Sequence, residues 1–169
     1  MKKMIFLSAV IGSIFSLNAF AAPISTAEVE QAQKAWGAGI VAIGKASDAR
    51  KVAIEHIEEF YAFESGKVLF KPTLASDVQF RGTKKEALSY FIGQDLEEDK
   101  GFALAPYTNV RWENEGIITD QDSALAMGNY FFTKKDGTET KVEYTFGYVK
   151  DDEGNVKINL HHSSIPYSN

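Results

Sequence analysis

Residues 156–167 read VKINLHHSSIPY, two adjacent histidines followed by two adjacent serines. Imidazoles and hydroxyls are the side chains that move protons and donate hydrogen bonds at neutral pH. The residues in front of them alternate, with Val156, Ile158 and Leu160 on one side and Lys157, Asn159 and His161 on the other. That is the period of a β-strand with one buried face. Continued without a break, the apolar register puts His162 and Ser164 on the buried face and His161 and Ser163 on the outer face. An imidazole and a hydroxyl two residues apart, at the end of a core-facing row, suit the mouth of a pocket. They suit equally a C-terminal strand whose polar side chains make ordinary hydrogen bonds.

Three chemistries can be weighed. A metal site fits poorly, because neighbouring strand residues project to opposite faces and two adjacent imidazoles do not readily reach one ion. Zinc takes three or four N, S or O ligands, and the chain has three histidines, no cysteine, and no HxH or HExxH spacing. A mixed histidine and carboxylate site stays open. A serine hydrolase would need a nucleophile elbow, and no G-x-S-x-G occurs. General-base catalysis with hydroxyl positioning needs one imidazole and several neutral donors facing a small apolar cavity. His162, Ser164, Thr73 and Tyr90 could supply them. His56 sits one residue before an apolar helix face and reads as structural or surface.

Helices and strands must position these residues. Ser25 and Glu28 form a capping box, and Val29, Ala32, Trp36, Ile40 and Ile43 follow at helical steps. Ser47 or Asp48 can cap a second helix to about Phe63. Residues 68–71 are extended, and 77–81 read as another short strand. Thr83 and Glu86 cap a third helix that Gly93 ends. The acidic run 94–101, QDLEEDKG, reads as a solvated loop with no metal spacing. Strands follow over 107–113, 124–133, 139–150 and 156–165, with a hairpin signal at Asp136-Gly137. Helices first, then antiparallel strands, give an α+β fold in two layers, a curved sheet wrapped around N-terminal helices. That is the cone of the nuclear-transport-factor-2-like (NTF2-like) fold.

Lys2 and Lys3, the apolar run to Leu17 and Ala19-Phe20-Ala21 read as a bacterial signal peptide over 1–21, cleaved near Ala21/Ala22. Residues 22–169 are then one domain, periplasmic or secreted, with no membrane contact after cleavage. The net charge is −5, and the chain has no basic cluster, which argues against nucleic acid and anionic membranes as partners. Without cysteine the fold relies on its core, for which 12 Phe, 7 Tyr and 2 Trp are available.

Several stretches in order resemble the iota-class carbonic anhydrases: VLFKPT (68–73), ALSYFIG (87–93), PYTNVRWEN (106–114), ALAMGNYFFT (124–133), KVEYTFGYVK (141–150) and INLHHSSIPY (158–167). The resemblance implies an NTF2-like homodimer that interconverts CO₂ and bicarbonate. The family divides on metal, some members being described as zinc or manganese enzymes and others as working without one. The lack of ligands in this chain favours no cofactor and a metal-independent general-base route on His162, with zinc or manganese left open. It implies a Thr, a Tyr, a His and a Ser around the bicarbonate. The first two match Thr73 after FKP and Tyr90 in LSYF. The pair from the tail is His161/Ser163 or His162/Ser164, and the unbroken register favours the second. The rival function is a non-catalytic small-ligand-binding or dimerisation module of the same fold.

Overall fold

The computed structural model describes residues 22–168. The expected leader, residues 1–21, lies outside the described residues. The first helix, α1, spans Thr26–Lys45. Ser25 accepts the Glu28 amide at 3.2 Å and Glu28 accepts the Ser25 amide at 2.8 Å, so the capping box is complete. Its stripe of Val29, Trp36, Ile40 and Ile43 is buried. Helix α2, Ala49–Phe60, starts where Asp48 accepts the Lys51 amide at 3.0 Å. It ends three residues before the expected Phe63. Tyr61 turns extended and bridges in parallel to Ile158, which fixes that tyrosine against the sheet. Helix α3, Lys84–Ile92, has the Thr83/Glu86 capping box and ends at Gly93, whose φ of 73° suits glycine.

The strands are β1 (Leu69–Lys71), β2 (Tyr107–Thr119), β3 (Ser123–Lys134), β4 (Glu139–Lys150) and β5 (Val156–Ser164). They form one sheet in the order β1-β5-β4-β3-β2, antiparallel except for the β1–β5 pair. The helices cover its inner face, where Ala124, Ala126, Tyr130 and Phe132 of β3 and Val142, Tyr144, Phe146 and Tyr148 of β4 are buried. The α+β architecture expected from the sequence is the one observed.

Three local expectations are corrected. Strand β2 runs through the expected loop at 114–116, because a register shift between Asn114 and Gly116 absorbs the irregularity. Residues 77–81 form no strand. The amides of Ser76, Asp77 and Val78 donate to one carboxylate, Glu98, at 2.8, 3.0 and 2.9 Å. A carboxylate that satisfies three consecutive amides leaves no ladder for them to join. The acidic run is therefore not simply solvated. Glu98 and Asp99 hold the buried Arg81 guanidinium at 3.1 and 2.9 Å.

The third correction bears on chemistry. Along β5, Ile158 pairs with Tyr148 and Leu160 pairs with Gly147. Asn159 is an extra residue, a β-bulge. Since side chains alternate with period two, one inserted residue moves everything after it to the other face. Ile158 stays inside, Leu160 is half-buried on the outer side, and His161 and Ser163 turn inward. His162 is exposed and Ser164 half-buried. The expectation that His162 and Ser164 face the core is thereby overturned.

Gly147 makes room for this bulge. A Cβ there would lie 2.7 Å from Asn159 Oδ1 and 2.9 Å from Leu160 Cβ. Gly147→Val should destabilise the protein by roughly 1–3 kcal/mol, as overpacking does. Urea unfolding measures this, and an unchanged midpoint would show that the bulge does not depend on the glycine.

Candidate active site

His161 enters the cone from β5. The Phe70 ring stacks on its imidazole at 4.6 Å between centroids and 22° between planes, and Phe146 lies 4.1 Å away. Both ring nitrogens have polar neighbours. The Tyr61 hydroxyl is 2.8 Å from Nδ1, and the Tyr130 hydroxyl is 3.4 Å from Nε2. Trp36 of α1 donates its indole N–H to the Tyr61 oxygen at 3.1 Å.

Ser163 lies two residues further along the same face. Thr73, just beyond β1, donates its hydroxyl to Ser163 Oγ at 2.8 Å. Tyr90 comes from α3, its ring edge-on to Phe70 at 5.9 Å and stacked with Phe102 at 5.6 Å. Its hydroxyl lies beside the backbone of Leu74, the neighbour of Thr73. Thr73, Tyr90, His161 and Ser163 therefore converge from three segments, the stretch after β1, α3 and β5, within walls of Phe70, Phe102 and Phe132.

Burial sets the charge state. It pushes the His161 imidazole well below its ordinary 6.5, with His162 and His56 adding to the effect. It pushes the Tyr61, Tyr90 and Tyr130 hydroxyls up. The ring is neutral and the phenols keep their hydrogens at physiological pH. The result is a largely buried polar cluster without a formal charge, able to donate several hydrogen bonds to a small planar anion.

His162 and Ser164 sit across the sheet from this cluster. His162 pairs with Thr145 of β4, and Ser164 donates to Glu143 at 3.0 Å. They join neither Thr73 nor Tyr90. Tyr61, Trp36 and Tyr130 carried no functional signal in the sequence beyond being aromatic, although a buried Tyr or Trp needs a partner for its polar tip. Among the described residues no group of three or more His, Asp or Glu gathers as metal ligands would.

His56 is buried rather than at the surface. Among the described residues neither of its ring nitrogens has a partner, and burial pushes it down to about 3. It packs on Phe60 at 4.8 Å and against Gly39, where any Cβ would fall 2.2 Å from Nδ1.

Two histidines with depressed pKa values make stability depend on pH. Unfolded imidazoles bind protons near 6.5, while the folded ones resist protonation until well below it. The unfolded chain thus takes up more protons below pH 6.5. Stability from these groups is complete above about 6.5 and is lost as pH falls, by up to about 1.4 kcal/mol per pH unit for each histidine. Between pH 6.5 and 5, His56→Leu should flatten the fall in unfolding free energy relative to wild type. An unchanged slope would mean that His56 is not held neutral.

Residues 27–165 match the model of a family described as metal-independent carbonic anhydrase. The metal-independent carbonic anhydrase of Nostoc sp. is 46% identical over 154 residues, spanning 85% of this chain and 75% of the relative. The crystal structure of an iota-carbonic anhydrase from a cyanobacterium, complexed with bicarbonate, superposes with a TM-score of 0.84 at 42% identity. It covers 87% of this chain and 95% of its own. An NTF2-like protein from Pseudomonas putida KT2440 has a TM-score of 0.53 at 20% identity over 86% of this chain and 91% of its own, a likeness of fold alone.

Proposed function

This chain belongs to the metal-independent carbonic anhydrase family, and we propose that it interconverts CO₂ and bicarbonate on Thr73, Tyr90, His161 and Ser163. The observation that carries the assignment is the convergence of Thr73 on Ser163, at 2.8 Å, beside a buried neutral His161.

Hydration joins a water oxygen to the carbon of CO₂, moves charge onto the CO₂ oxygens and releases one water proton. A zinc enzyme meets the last requirement by lowering the pKa of bound water from about 15.7 to about 7. Here the gain is electrostatic and geometric. The hydroxyls of Thr73, Tyr90 and Ser163 are fixed in a water-poor, aromatic-walled space. There, donors aimed at developing charge act far more strongly than in water. Holding water and CO₂ together supplies a further part. The proton passes to a second water and on to buffer. All four side chains are neutral, so the product is held by hydrogen bonds alone and can leave.

The test is CO₂ hydration by chelator-treated protein whose metal content has been checked. The treated protein should keep its activity. His161→Ala and Ser163→Ala should each lose on the order of 10²–10³ in turnover, whereas His162→Ala and Ser164→Ala should stay within about threefold. Activity that disappears with the metal and returns on adding it back would falsify the metal-free route. Losses at His162 and Ser164 instead would overturn the assignment of faces.

We further propose that the protein works as a homodimer packed through its sheets. Leu125 of β3, Gly147 of β4, Leu160 of β5 and Leu69 of β1 lie in one row across paired strands. Leu69, Leu125 and neighbouring Met127 are 55%, 50% and 56% exposed, an apolar band on the outer face that a second copy would cover. Light scattering at micromolar concentration should give twice the monomer mass, and a monomer alone would count against this reading. Residues 1–21 are proposed as an export signal cleaved near Ala22, which puts the enzyme in the periplasm or outside the cell. Mass spectrometry of native protein should find an N-terminus near Ala22, and an intact Met1 would contradict export.

A further inference from the structure

The donors and acceptors around His161 form a chain whose direction is set at its far end. An indole N–H can only donate, and that of Trp36 donates to the Tyr61 oxygen at 3.1 Å. Both side chains are buried. Among the described residues, the acceptor within reach of the Tyr61 hydrogen is His161 Nδ1, at 2.8 Å. The opposite arrangement, with the imidazole hydrogen on Nδ1, would put two donors on the Tyr61 oxygen and leave its own hydrogen buried without a partner. Orphaned buried donors are costly. Nδ1 is therefore the lone-pair nitrogen.

Burial keeps the ring neutral, so its single hydrogen sits on Nε2, facing the Tyr130 oxygen at 3.4 Å. The Tyr130 hydroxyl in turn neighbours that of Ser163, and Ser163 Oγ also accepts from Thr73. A hydroxyl oxygen has two acceptor sites and one hydrogen. With Thr73 on its oxygen, Ser163 still has its own hydrogen to give. Successive links of such a chain polarise one another in the same sense.

We propose that Trp36 and Tyr61 are positioning residues that polarise this chain toward the substrate. His161 then serves CO₂ hydration as a hydrogen-bond donor in the Nε2–H tautomer, and Ser163 presents its hydrogen to the bicarbonate oxygen. This rests on the site assignment made above. It gives the imidazole a different part from the proton acceptor of a general-base mechanism. A neutral ring whose only lone pair is already taken by Tyr61 has no free lone pair for a proton from water.

The experiment is ¹⁵N NMR of histidine-labelled wild-type protein at neutral pH, together with kinetics of three variants. His161 should show its hydrogen on Nε2 and a bare, hydrogen-bonded Nδ1. Tyr61→Phe should bring the second tautomer into the spectrum and lower kcat about tenfold with little change in KM. His161→Gln can donate from its amide but cannot take up a proton, and should retain at least ten times the turnover of His161→Ala. A hydrogen on Nδ1 in wild type would overturn the tautomer assignment, whether or not the Tyr61 variant folds. Equal losses in His161→Gln and His161→Ala would overturn the donor role. Wild-type turnover in His161→Ala would instead overturn the underlying site assignment.

Discussion

A single extra residue in the last strand decides which half of the HHSS tetrad the cone encloses. Asn159 has no partner opposite it, Gly147 gives the space it needs, and every side chain from Leu160 onward changes face. Without that insertion Leu160 would continue the apolar row of Ile158, and the imidazole inside would be His162. The exchange puts a polar ring where an apolar side chain would be simpler to bury. Tyr61 and Tyr130 offset the cost by engaging both ring nitrogens, and the Phe70 and Phe146 rings fill the space around it. The same shift sends Leu160 outward, into the apolar row on the opposite face of the sheet.

The remaining machinery keeps that interior neutral and rigid. One charged cluster braces the site from outside it, in which Glu98 and Asp99 hold Arg81. The Arg81 amide donates back to the Phe70 carbonyl at 2.8 Å, closing the excursion that begins after β1. Asp99 also accepts from Ser89, the residue before Tyr90, at 2.6 Å. The clamp thus ties together the two segments that carry Thr73 and Tyr90. It does so without placing a charge among the four proposed site residues, where a neutral donor set suits a substrate that must bind, react and leave.

Much of the fold was legible in the sequence because its signals are local. Two capping boxes, the stripe of α1 and the Asp136-Gly137 turn each follow from a few neighbouring residues, and the structure has all of them. In β4 the alternation of Val142, Tyr144, Phe146 and Tyr148 with polar residues and glycine marks the face that the structure buries. The site was less legible. Thr73 and Tyr90 were candidates by residue type and were matched to the site by family resemblance, since nothing in their spacing says that they meet. Alternation also cannot reveal an inserted residue, because a bulge leaves the pattern before it intact. The one local hint was a glycine inside a strand, Gly147, of the kind that accompanies bulges and close backbone approach. Glu98 was misread for a related reason: its partners are backbone amides about twenty residues away, which an acidic run does not announce. Tyr61 escaped notice because its role begins where α2 stops short.

The central claim is that the bulge turns His161 and Ser163, and not His162 and Ser164, toward the substrate. A crystal of the protein soaked in bicarbonate tests it most directly. The anion should lie inside the cone, with oxygens within hydrogen-bonding distance of Thr73, Tyr90 and Ser163 and with His161 alongside. Bicarbonate bound on the outer face against His162 and Ser164, with the interior of the cone empty, would contradict the account.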